Sequence, residues 1–117
     1  MNKLYYYKNC STSKAAKKYL DENNIDYSII HLDVDPPNYN QINELIIKSG
    51  LGYKKFLNTS GKIYREERIK DKISSLNEGE AIKLFDGRGM LIKRPILETN
   101  NSVLVGFKLE EWKDEIK

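Results

Sequence analysis

One cysteine, one histidine, three prolines and no long apolar run are what this 117-residue sequence has little of. A single cysteine excludes an intramolecular disulfide, so the fold must stand on its core, as suits a reducing compartment. The lone histidine, His31, ends an apolar segment with no second metal-type partner beside it and reads as an ordinary satisfied or exposed imidazole. Asp33 and Asp35 run into Pro36-Pro37, so this DxD reads as a loop and helix entry rather than a cation site. No bound metal is expected. Nothing approaches the roughly 20 apolar residues that span a bilayer, and MNKLYYYK has no signal-peptide core. The expectation is a cytoplasmic protein with no membrane partner. The net charge of +3 is mild and lysine greatly outnumbers arginine, whereas phosphate- and base-reading surfaces favour arginine. Direct nucleic-acid binding is not expected.

What is present is the composition of a soluble globular chain, 39% apolar and 32% charged, in one domain over residues 1–117. Residues 3–7, KLYYY, predict a buried strand. The chain turns at Lys8-Asn9, and Ala15, Ala16, Tyr19 and Leu20 then recur at helical spacing up to a stop at Asn23-Asn24. Residues 27–32, YSIIHL, predict a second strand, and the helix between has crossover length for a parallel pair. Residues 38–91 read as a helical insertion. It opens on a helix with Ile42, Leu45 and Ile46 on one face, ending near Ser49-Gly50, and continues through YKKFL and a longer helix, EGEAIKLF. DGRG at 86–89 lacks the strand-before-helix setting of a phosphate loop. RPILE and SVLVGF predict a hairpin about Asn100-Asn101, and LEEWKDEIK places Leu109, Trp112 and Ile116 on one helical face.

The order is βαβ, helical insertion, ββα, an α/β class with a four-stranded mixed sheet. That outline is the thioredoxin fold, in which the first strand-to-helix turn carries the reactive thiol and a cis proline faces it. Here those places belong to Cys10 and Pro95.

If a helix begins at about Ser11 or Thr12, its unpaired amides and positive dipole end point back at the Cys10 sulfur and favour thiolate. Lys14 and Lys17 add positive charge in the first turns, and Asp21 and Glu22 lie near the far end. Both placements oppose what helix stability alone would choose, a local inconsistency that points to function. Nucleophilicity falls as thiol pKa falls, so even a strongly lowered pKa gives a net rate gain of only about threefold at neutral pH. Real catalysis therefore needs a positioned electrophile or an oxyanion site. Ser13 either hydrogen-bonds the thiolate or simply occupies the first turn. Ser11 and Thr12 read as caps or loop residues whose amides face a bound anion. Arg94, with Lys93 beside it, is either an anion clamp or a solvated arginine at a strand start, and Asn58, Thr59 and Ser60 either line a pocket or form a polar turn.

CSTS at 10–13, PP at 36–37, KRPI at 93–96 and VGF at 105–107 together resemble the arsenate-reductase-like family of bacterial thioredoxin-fold proteins. The likeness runs over essentially the whole chain. KSGL, KKFLNTSGKIYRE and GMLIKRP are similar to the uncharacterised branch of that family. Arsenate reductases of the family hold their oxyanion with a cysteine and three arginines. By resemblance Arg94 matches one of these, while Asn58 and Gly106 stand at the other two places. Since each arginine would supply a charge-assisted pair of hydrogen bonds to the anion, arsenate reduction ranks last among the readings. The family's Spx-type regulators bind the RNA polymerase α subunit, and many switch through a CxxC disulfide. Ser13 replaces the second cysteine here, while Gly52 falls near the regulators' contact glycine.

The resemblance implies a monothiol reductase in which Cys10 is catalytic, supported by Ser13, Lys14, Arg94 and Pro95, with Ser11, Thr12, Asn58 and Arg94 on the substrate. No cofactor is expected to be bound. Glutathione, another small thiol, or a glutaredoxin- or thioredoxin-type protein would be the reductant. The alternative is an Spx-type module that docks on the polymerase α C-terminal domain through the helical insert around residues 41–56, which includes Gly52.

Overall fold

A computed structural model describes residues 1–116. Strand β1 (Lys3–Tyr6) leads through the Lys8-Asn9 turn into helix α1 (Ser11–Glu22), and β2 (Ser28–His31) returns parallel to β1. Helix α2 (Tyr39–Ser49), a 3-10 turn at Tyr53–Phe56, α3 (Lys62–Glu66), α4 (Ile69–Ile73), α5 (Glu78–Lys83) and a second 3-10 turn at Gly89–Leu91 follow. Strands β3 (Ile96–Glu98) and β4 (Val103–Val105) and helix α6 (Leu109–Glu115) close the chain. The sheet order is β2-β1-β3-β4, with β3 antiparallel to both neighbours. This is the four-stranded mixed sheet of a thioredoxin-like fold.

Strand side chains alternate between faces, which splits the core in two. Leu4, Leu97 and Leu104, joined across the strands by register, pack with Ala16 and Leu20 of α1 and Trp112 of α6. Tyr5, Ile96, Val103 and Val105 face the other way, onto Ile42, Leu45 and Ile46 of α2 and onto Phe56 and Phe85. Fully burying side chains of this size stabilises by about 1.5–3 kcal/mol each.

Local signals set the helix bounds. Asn38 caps α2 in a reciprocal box with Gln41, and Gly50 ends it in the left-handed conformation at φ 69°. Asn77 and Glu80 repeat the box at α5. EGEAIKLF is helical only to Lys83, with Leu84 at the cap, and YKKFL is a single 3-10 turn. The face predicted for the last helix is narrower than expected. Leu109 is 42% exposed, whereas Trp112 is buried and Ile116, at the C-terminal cap, packs partly buried against the same cluster.

DGRG does structural work. An added Cβ at Gly89 would lie 1.9 Å from the Leu32 carbonyl oxygen, so only glycine lets this backbone meet the end of β2. The segment is then stitched to the first 3-10 turn: Asn58 N–H donates to the Leu91 carbonyl and Lys93 N–H to the Phe56 carbonyl, each at 2.8 Å. Leu57 and Ile92 form an antiparallel bridge. These bonds fix the path by which the chain approaches Arg94 and Pro95.

Candidate functional site

Cys10 is the N-cap residue of α1, with extended φ and ψ of −111° and 117°. Its amide donates to the Tyr7 carbonyl at 3.1 Å and its carbonyl accepts from Lys14 N–H at 3.0 Å. The thiol makes no capping bond, and Cys10 is only partly buried, so the sulfur is reachable and faces the free amides of the first turn. Burial is the largest single influence on the thiol and pushes its pKa up. The Ser13 amide and hydroxyl, the Thr12 amide and the Arg94 guanidinium together outweigh it, and the net position is below the ordinary thiol value of 9.0.

Ser13 is fully buried. Its oxygen accepts weakly from Tyr7 N–H at 3.4 Å, which leaves its own proton for the sulfur. Arg94 is held in place: Nη1 donates to the carbonyls of Met90 and Ile92, each at 3.1 Å. Its guanidinium lies 5.0 Å from the centre of the Tyr7 ring. The Arg94-Pro95 peptide bond is cis.

Several predicted site residues lie elsewhere or act differently. Lys14 is exposed and meets Cys10 only through its amide. Lys17 is turned to Asp21 at 3.0 Å, and Asp21 also accepts from the Tyr27 hydroxyl at 2.6 Å. That network accounts for the acid near the end of α1, where the charge order alone pointed to function. Asn58 donates through Nδ2 to the Met90 carbonyl at 3.3 Å, the same oxygen that holds Arg94. Ser11 and Thr12 are exposed in the first turn.

Gly106, at φ 78°, donates to the Pro95 carbonyl at 2.8 Å and accepts from Trp112 Nε1 at 3.1 Å. A Cβ there would touch the Lys93 stem at 3.4 Å. Gly52 stands on a different surface. It has φ 80° and ψ 161°, with open space around it, beside the exposed Leu51 and near Ile47.

Tyr7 and Met90 escaped sequence reasoning. Tyr7 looked like the last residue of a buried strand, yet it carries the Arg94 guanidinium and bonds both Cys10 and Ser13. Its position directly before the Lys8-Asn9 turn is the one available signal. Met90 acts through a backbone carbonyl, which no side-chain motif reports.

A partly exposed thiol at the first strand-to-helix turn of a β2-β1-β3-β4 sheet, with a helical insertion between the two halves, is the arrangement of a thioredoxin-fold protein. The ArsC family model matches residues 5–114, and the chain belongs to the ArsC family. YusI of Bacillus subtilis (strain 168) is 41% identical over 111 residues, covering 95% of this chain and 94% of that one. The crystal structure of an ArsC family related protein from Bacteroides fragilis superposes with a TM-score of 0.91 at 42% identity, covering 97% of this chain and 95% of the other. Global transcriptional regulator Spx 1 of Bacillus cereus is 25% identical over 108 residues, covering 92% of this chain and 81% of the regulator.

Proposed function

We propose that the protein is a monothiol reductase of thiol-disulfide chemistry, with Cys10 as the nucleophile and a small thiol such as glutathione as reductant. The observation that carries this reading is a partly exposed sulfur at the head of α1 that faces the Thr12 and Ser13 amides and the buried Ser13 hydroxyl, with the Arg94 charge acting on it from the segment before β3. In the first step the Cys10 thiolate attacks the glutathione sulfur of a mixed disulfide. A Cys10-glutathione disulfide forms, and the substrate leaves as its reduced thiolate. A second glutathione thiolate then attacks the bound glutathione sulfur, giving oxidised glutathione and regenerating Cys10. Arg94 would orient the anionic disulfide partner. The external thiol is required because Ser13 cannot resolve the intermediate.

The test is a pH profile of Cys10 alkylation by iodoacetamide, followed by turnover of a glutathione mixed disulfide. A midpoint below the ordinary thiol range and turnover lost in Cys10→Ser are expected. A midpoint at or above that range, with no turnover, overturns the reading. Arsenate reduction remains the lowest reading, and thiol-dependent arsenite production by purified protein would revive it.

A second reading, an Spx-type module that docks on the RNA polymerase α C-terminal domain, is favoured by one surface. Ile47 is 70% exposed and Leu51, next to Gly52, is 48% exposed, two apolar side chains open to solvent around the end of α2. Pull-down with the polymerase domain tests it. Gly52→Arg alone is ambiguous, because φ 80° and ψ 161° form a conformation essentially reserved for glycine. Leu51→Asp, which leaves that backbone alone, is the companion. Absence of binding in both reducing and oxidising buffer sinks the module reading.

A further inference from the structure

The helical insertion contains an apolar groove of about 310 Å³, away from Cys10. Leu57, Tyr64 and Ile73 supply its apolar lining, Thr59 contributes a hydroxyl, and Lys54 and Lys70 are its only charged lining residues. Half of the insertion's ten lysines and arginines are in ion pairs, and of the other half only Lys54 and Lys70 line the groove. Lys62 pairs with Glu66, Arg68 with Asp71, Lys72 with Glu67 at 3.7 Å, and Arg88 also with Glu67. Lys54 and Lys70 have no ion-pair partner among the described residues. No carboxylate lines the groove. An apolar surface with two unneutralised ammonium groups is complementary to one kind of small occupant, an apolar body ending in an anion.

We propose that this groove binds a small amphiphilic carboxylate, a medium-chain fatty acid or an aromatic acid, with the body on Leu57, Tyr64 and Ile73 and the carboxylate between Lys54 and Lys70. Size supports a small molecule, since 310 Å³ is at the low end of the roughly 300–1,000 Å³ typical of ligand sites. The site is independent of the thiol chemistry. Thr59 directly follows Asn58, whose side chain shares the Met90 carbonyl with Arg94, so the two sites are neighbours along the chain and distinct in chemistry.

The experiment titrates the full chain with the fluorescent anion anilinonaphthalene sulfonate and then displaces it with decanoate or with decanol. One saturable site is expected, with decanoate displacing the probe at least about tenfold more effectively than the uncharged decanol. Lys54→Gln/Lys70→Gln should weaken decanoate several-fold while leaving decanol unchanged, as loss of two exposed charges predicts. Ile73→Asp should remove probe binding. If that variant fails to fold, as judged by its denaturation curve, the double lysine variant carries the test. Cys10 alkylation rates should be the same in all variants, which separates this proposal from the reductase reading. Non-saturable probe binding, equal displacement by decanol, or a double variant that binds decanoate like the wild type overturns it. So does concentration-dependent dimerisation blocked by Ile73→Asp without decanoate binding, which would assign the groove to a second copy of the chain.

Discussion

Two corners of the molecule share a helix-rich setting and differ in how much is built around them. Around Cys10, groups arrive from α1, from the turn after β1 and from the segment before β3, and each is held by a second contact. Arg94 is pinned by two carbonyls and a tyrosine ring, and Ser13 is buried under a backbone amide. Around Gly52 nothing lies within 4 Å of an added Cβ, and Ile47 and Leu51 project outward. Preorganised polar groups in a partly buried site favour chemistry, whereas an open apolar patch favours recognition. The contrast is why the reductase reading leads and the docking reading follows.

The largest expected effect falls on the thiol. Cys10→Ser should abolish iodoacetamide labelling and mixed-disulfide turnover while leaving the denaturation midpoint nearly unchanged at neutral pH, because the side chain makes no capping bond. Mass spectrometry and urea unfolding check both halves.

Next is the seam that delivers Arg94. Gly89→Ala should destabilise the protein by about 1–3 kcal/mol, the usual cost of forcing atoms into a packed contact, because its Cβ would fall 1.9 Å from the Leu32 oxygen. Unfolding by denaturant measures it, and a value within error of wild type would mean the seam is looser than described. Gly52→Ala also carries a backbone cost but meets no neighbouring atoms, so it should destabilise less than Gly89→Ala. The reverse order would break the comparison between a crowded and an open glycine.

Smaller still is the tuning of the sulfur. Ser13→Ala removes a hydroxyl that favours thiolate, so the alkylation midpoint should rise and labelling at neutral pH should slow by less than about threefold. Arg94→Met should move the midpoint the same way by less, since the guanidinium is the weakest of the groups that lower it.

The smallest effect is on stability against pH. The folded thiol pKa lies below its unfolded value, so the thiolate's contribution is complete above the unfolded pKa and is lost as pH falls through the folded one. The stability difference between wild type and Cys10→Ser should therefore grow as pH rises from below the folded thiol's pKa toward 9.0. A flat difference would show that the groups around the sulfur do not act on its charge.

Much of this was legible from local pattern. The short aromatic run of KLYYY, the helical spacing of Ala16 and Leu20, and the stops at Asn23 and Gly50 located the sheet and its helices, because those signals act within a few residues. Element order located Cys10 and Pro95, and the family resemblance added the match of Arg94. The charge order of α1 misled, because the partners of Asp21 include Tyr27 on the far side of a turn, which helix arithmetic does not contain. Leu109 on the last helix misled likewise, since burial depends on what the sheet leaves uncovered.

By itself the sequence determined the element order, the lone thiol at the head of α1 and the absence of a second sulfur to resolve it, all properties of neighbours along the chain. Only the tertiary structure decided that Tyr7 carries Arg94, that one Met90 carbonyl holds both Arg94 and Asn58, and that Gly89 lets the insertion close on Leu32. Most of those contacts join residues tens of positions apart, often through backbone atoms that every residue possesses, so no pattern of side chains announces them.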